Sequence, residues 1–188
     1  TGLTGSADDG TPITQLYLNN GGTLTEQSSS LIGVQGGAVA FGDYDGDGDL
    51  DLALSGLTAS NKGSLVLYRN TAAGFVEDLS QSDLQAETLR YSALAWGDYD
   101  GDGNRDLYVT NYGANVLYRN RGDGTFSDLS EQAGVQGDDY SAGAAFFDYD
   151  GDSDLDLYVA NYVVFDIKPI LQNPQLDDLC NYLGGLRV

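Results

Sequence analysis

The sequence predicts an all-β repeat protein, and three observations lead there. A sixteen-residue unit occurs three times, as GGAVAFGDYDGDGDLD (36–51), YSALAWGDYDGDGNRD (91–106) and SAGAAFFDYDGDSDLD (141–156). Its first aspartates stand at 43, 98 and 148, spaced 55 and then 50 residues apart, and a period of that size marks a repeat architecture. Glycine is abundant at 26 and proline scarce at 3. Many glycines between short apolar runs suit strands joined by tight turns.

Residues 1–13, beginning TGLTGSADDGT, are polar and glycine-rich and read as a flexible leader. The repeats occupy 14–162. They start with two strands, TQLYLNN (14–20) and TLTEQ (23–27), around Asn20-Gly21-Gly22, a strong hairpin signal. The first full repeat then reads as strands over 38–43, 50–55, 64–70 and 75–79. The second reads as 93–98, 106–111, 115–120 and 125–129, and the third as 143–148 and 155–161. The strand before each loop carries small residues (Ala38 and Ala40, Ala93 and Ala95, Gly143 and Ala145). An aromatic stands two places before each first aspartate, at Phe41, Trp96 and Phe146. After Asn161 the pattern stops. Residues 163–188 form an irregular tail with a possible short helix over 174–183, proline at its first turn, and the sole cysteine, Cys180.

The nine-residue loops have a shared logic. Side chains at positions 1, 3, 5 and 9 turn inward, a glycine at position 6 allows the sharp turn, and position 7 offers its carbonyl. The expected metal ligands are Asp43, Asp45, Asp47, Asp49 and Asp51; Asp98, Asp100, Asp102, Asn104 and Asp106; and Asp148, Asp150, Asp152, Asp154 and Asp156. Carboxylates held this close repel one another, and a hard divalent cation removes the repulsion. Ca²⁺ accepts 6–8 oxygens in a flexible shell, whereas Mg²⁺ demands a tight octahedron, so three Ca²⁺ per chain are expected. An EF-hand is excluded. Its position 12 needs a bidentate Glu, and that position here holds Leu54, Val109 and Val159.

These loops, with the following LYRNRGDGTFSDLSEQAGV (117–135), resemble the FG-GAP/VCBS calcium-binding repeats of integrin-α-type β-propellers and those of the cartilage-acidic-protein/UnbV-like (ASPIC) branch. The resemblance covers roughly 14–162. It implies four-stranded antiparallel blades, about three blades' worth in all, with calcium between the first and second strands. It departs at Ser153, which stands where the turn glycine is expected and puts the third loop's geometry in question. The array begins and ends mid-blade. It is therefore expected to be a partial propeller, or one completed by another chain, whether a second copy or a parent chain.

Net charge is −21, from 29 acidic and 8 basic residues, and fourteen of the acids lie in the three loops. Nucleic acid and anionic membranes are poor partners for such a chain. There is no histidine, which removes the commonest general base. Neither a signal peptide nor an 18-residue apolar span is visible, and the absence of methionine suggests a processed or excised chain. The reading that follows is a non-catalytic calcium-binding module, extracellular, periplasmic or at the cell surface, that serves as a scaffold or for protein interaction. The alternative is part of a carbohydrate-active propeller enzyme, a lyase or hydrolase, or a carbohydrate-binding module using Tyr44, Tyr99 and Tyr149. The only lysines, Lys62 and Lys168, are not beside a loop. Arg69 and Arg119 are expected to pair with neighbouring acids or to stay exposed. Arg121-Gly122-Asp123 is expected to be a hairpin turn rather than an adhesion motif.

Overall fold

The structure, a computed structural model, describes residues 10–80, 84, 89, 91–137 and 139–162. The expected tail helix and Cys180 lie outside the described residues. Twelve strands form within the described residues, close to the expected boundaries. The strands β1 (Leu16–Asn20) and β2 (Thr23–Gln27) make a hairpin whose turn residues Gly21 and Gly22 both take positive φ, 62° and 96°. Strands β3 (Val39–Gly42), β4 (Asp51–Leu57), β5 (Gly63–Thr71) and β6 (Gly74–Glu77) form one antiparallel four-stranded sheet in sequential order. A second sheet repeats it with β7 (Leu94–Gly97), β8 (Asp106–Val109), β9 (Val116–Asn120) and β10 (Phe126–Asp128). The strands β11 (Ser141–Phe147) and β12 (Asp156–Asn161) pair as the inner half of a third.

The sheets are ordered like the blades of a propeller. The first strand of each lies against the first strand of the next, β3 on β7 and β7 on β11. Both faces of β4 and β8 are covered, and these two strands are buried along their whole length rather than on alternate residues. The joint depends on a glycine. A Cβ on Gly42 would come within 2.7 Å of the Trp96 ring, and one on Gly97 within 2.5 Å of the Phe146 ring. Trp96 and Phe146, each two places before an aspartate, thus sit on the glycine one place before the previous blade's aspartate. In the third repeat that place holds Phe147.

The main core fills the space between the first two blades, with Leu65, Leu67, Leu107, Val109, Tyr118 and Phe126 buried there. A second cluster of Val34, Leu52, Leu54 and Tyr68 covers the other face of the first blade. One element was not expected from the sequence. A single helical turn, α1 (Ser130–Ala133), follows β10. The carboxylate of Asp128 accepts from the Ser130 amide at 2.9 Å and from its hydroxyl, and Gly134 ends the turn in the left-handed region.

Candidate metal centres

Each loop joins the first and second strands of its blade, and all three are closed by the same hydrogen bonds. The position-1 carboxylate accepts from the amide of position 6: Asp43 from Gly48 at 3.1 Å, Asp98 from Gly103 at 3.0 Å, and Asp148 from Ser153 at 3.1 Å. The position-5 carboxylate accepts from the amide of position 7, at 2.9 Å in Asp47, Asp102 and Asp152. The position-9 carboxylate accepts from the amide of position 2: Asp51 from Tyr44 at 3.1 Å, Asp106 from Tyr99 at 2.9 Å, and Asp156 from Tyr149 at 2.8 Å. Ser153 therefore reproduces the turn. It does so at φ 78°, beside 96° for Gly48 and 91° for Gly103, a left-handed backbone that costs a residue with a Cβ roughly 1–2 kcal/mol.

Of the expected ligands, the fold gathers positions 1, 3 and 9. Carboxylate oxygens of Asp43, Asp45 and Asp51 lie within 4.8 Å of one another, as do those of Asp98, Asp100 and Asp106, and of Asp148, Asp150 and Asp156. Oxygens around a calcium ion at 2.3–2.6 Å stand no more than about 5 Å apart, so these groups fit one ion each. The position-5 acids Asp47, Asp102 and Asp152 stand outside these groups, each turned toward the amide of position 7. Asp49, Asn104 and Asp154 at position 7 supply that amide. In the second loop, Asp98 Oδ1 is buried and receives no hydrogen bond. An orphaned anionic oxygen among other carboxylates is what a hard cation would satisfy.

The three centres differ in burial. Asp51 and Asp106 are fully buried, whereas all three clustered carboxylates of the third loop are exposed. Burial pushes the Asp106 carboxyl up to about 6, against the opposing pull of the Tyr99 and Asn120 amides. The same burial raises Asp51, with the Asn70 and Tyr44 amides opposing it.

The third strand of each blade supplies partners that were not assigned a role from the sequence. The amides of Asn70 and Asn120 each donate to Oδ1 of the position-9 aspartate at 2.8 Å, and their side-chain amides donate to the position-8 carbonyls of Leu50 and Arg105 at 3.1 and 3.2 Å. The recurrence of Leu-Tyr-Arg-Asn at 67–70 and 117–120 was the signal that could have found them. Asn120 reaches further and donates at 2.7 Å to the carbonyl of Tyr44, position 2 of the preceding blade's loop.

The neighbouring arginines diverge. Arg69 pairs with Asp78 at 3.0 Å and stays 3.9 Å from Asp45, whereas Arg119 contacts Asp100 at 2.7 Å and Asp102 at 3.0 Å. The cause is the residue that the outer strand offers. The two hairpins pair in the same register, Tyr68 opposite Glu77 and Tyr118 opposite Asp128, but the next place along holds Asp78 in the first blade and Leu129 in the second. The Asn104 amide and the Arg119 guanidinium hold the Asp102 carboxyl below its usual range.

The position-2 tyrosines do not share a surface. Tyr44 is buried and stacks on Trp96, centroids 6.0 Å apart and planes 6° from parallel, while its hydroxyl donates to Asp78 at 2.9 Å. Tyr99 is half-buried and Tyr149 is exposed, so a common carbohydrate platform built from the three is not formed. Arg121-Gly122-Asp123 forms the β9–β10 turn as expected, with the Arg121 amide bonded to the Thr125 carbonyl at 3.0 Å and Asp123 accepting from Thr125.

Blades whose inner strands lie side by side, each with an acidic loop between its first two strands, define a β-propeller repeat module. The FG-GAP-like repeat model matches residues 4–54 and 98–159, more than half of the chain, and the chain belongs to that family. No curated protein matches it at a significant level. Among the described residues no helix is long and apolar enough to cross a membrane.

Proposed function

We propose that the chain is a non-catalytic, calcium-binding propeller module in which three Ca²⁺ ions fix the turns between first and second strands. The blade edges are thereby presented as a scaffold for a protein partner. The observation that carries this reading is the threefold recurrence of one loop geometry with three carboxylate oxygens within 4.8 Å, together with the orphaned Oδ1 of Asp98 in the second loop. The loop aspartates are engaged as ligands and amide acceptors, which favours a structural use of the ion over acid–base chemistry. An extracellular, cell-surface or periplasmic setting suits it. Extracellular modules work with weak sites, with dissociation constants near 10⁻⁴–10⁻³ M.

Calcium bound only to the folded chain adds about 2.7 kcal/mol per site at a hundred times its dissociation constant. Chelation should therefore lower the melting temperature markedly, and magnesium should restore little of it. Calorimetry that finds no calcium uptake at millimolar ion, together with a melt indifferent to chelator, would sink the proposal.

A further inference from the structure

We propose that Arg119 is a built-in counter-cation of the second loop, which weakens calcium binding there and makes this the last of the two buried sites to fill. The inference rests on the calcium reading above and deepens it by ranking sites that the motif alone presents as equivalent. The first loop carries five carboxylates and the second four, because Asn104 stands where Asp49 does. Arg119 then neutralises part of what remains. Its Nε is 2.7 Å from Asp100 Oδ2 and its Nη2 is 3.0 Å from Asp102 Oδ2. The Nε is also buried and lacks a partner at hydrogen-bonding angles. The Asp100 contact is thus held by charge rather than by a directed bond.

Arg119 touches loop positions 3 and 5, and Asp100 is one of the three clustered carboxylates. A divalent ion entering that cluster meets a positive charge one carboxylate away, and the like charges oppose each other. In the first blade the arginine is drawn off. Asp78 accepts from both Nε and Nη2 of Arg69, at 3.1 and 3.0 Å, and the contact to Asp45 lengthens to 3.9 Å. Ligand charge and site rigidity set calcium affinity in oxygen-ligand loops. Here both differ between neighbouring blades, through Asn104 in place of Asp49 and through Asp78, which holds Arg69, where the second blade has Leu129.

The loop glycines make each site separately readable. The amides of Gly48 and Gly103 donate to the position-1 carboxylates of the first and second loops. A ¹⁵N–¹H titration of the full chain with CaCl₂ follows each one on its own. In the unmodified protein the Gly103 midpoint should lie at higher calcium than the Gly48 midpoint. Arg119→Gln should bring the Gly103 midpoint down about fivefold, the effect of one partly screened charge contact, and leave that of Gly48 unmoved. Arg119→Lys, which keeps the charge without the fork, should stay within about twofold of the original. A Gly103 midpoint that is unchanged or raised in Arg119→Gln overturns the proposal, since it would make the arginine a strap that preorganises the carboxylates. If neither amide responds to calcium in any variant, the underlying calcium reading fails, and this inference with it.

Discussion

Replacing Asn120 by alanine tests whether neighbouring blades are tied together through their loops. The substitution keeps the backbone amide that donates to Asp106 but removes three hydrogen bonds. Nδ2 donates to Tyr44 O at 2.7 Å and to Arg105 O at 3.2 Å, and Oδ1 accepts from the Gly122 amide at 3.0 Å. At about 1 kcal/mol each, the loss is roughly 3 kcal/mol, and more if the Tyr44 carbonyl is left buried without a donor. For a chain of this size each kcal/mol shifts the melting temperature by about 2–4 °C, so the fall should be about 6–12 °C. Asn70→Ala is the matched control, because its side chain is more exposed and donates to Leu50 O alone at 3.1 Å. It should cost about 1 kcal/mol. Melts in saturating calcium, with urea denaturation to check that the slope is constant, measure both. Equal losses from the two substitutions would refute the idea that Asn120 carries the joint.

Two further outcomes follow from the loops. With Asp106 raised to about 6 by burial, the folded state holds its proton more tightly than the unfolded chain. Without calcium, that group's contribution to stability should therefore decline as pH rises from about 4 to about 6. With calcium the order reverses, because proton and ion compete: affinity at the second loop should be roughly tenfold weaker at about pH 5 than at neutral pH, and pH-independent calorimetry would count against it. In the third loop, Ser153→Gly should raise the melting temperature by a few degrees and tighten calcium there, since relief of the left-handed strain, roughly 1–2 kcal/mol, exceeds the added chain entropy of glycine, about 0.5–1 kcal/mol. A lower melting temperature would mean that the Ser153 side chain itself supports the turn.

Much of this arrangement was legible in the sequence because it is local. A loop with aspartates at alternate places and a glycine at its turn encodes its own closure, and Gly48, Gly103 and even Ser153 obey it. The hairpin glycines Gly21 and Gly22 encode theirs likewise. What was hidden depends on residues far apart. The bond from Asn120 to Tyr44 spans 76 residues, and no local pattern announces it. The divergence of Arg69 from Arg119 comes from the strand opposite, which offers Asp78 in the first blade and Leu129 at the equivalent place in the second, although the two Leu-Tyr-Arg-Asn motifs are identical. The glycines at 42 and 97 were visible as repeats, yet their cause lies in the next blade's aromatic.

That last relation bears on whether two copies of the chain could close a ring. The β1–β2 hairpin would serve as the outer strands beside β11–β12 of a second copy, and the first full blade would follow on that composite blade. Phe41 would then meet residue 147 of the other chain in the joint that Trp96 makes with Gly42 and Phe146 with Gly97. At both glycines a lone Cβ already falls within 2.7 Å of the ring, and a contact that begins at Cβ cannot be relieved by changing rotamer. Phe147 brings a whole benzyl group to that point. Forcing it in would shift backbone at a cost of about 1–3 kcal/mol or more, at each of two symmetric joints. Phe41 and Phe147 are both left partly exposed, at 52% and 42%. Apolar exposure alone would favour association, and the steric argument opposes this particular mode of it. Light scattering in calcium at tens of micromolar should accordingly give a monomer mass. A dimer in the unmodified protein would refute the steric argument, whereas a dimer that appears only in Phe147→Gly would identify residue 147 as the block.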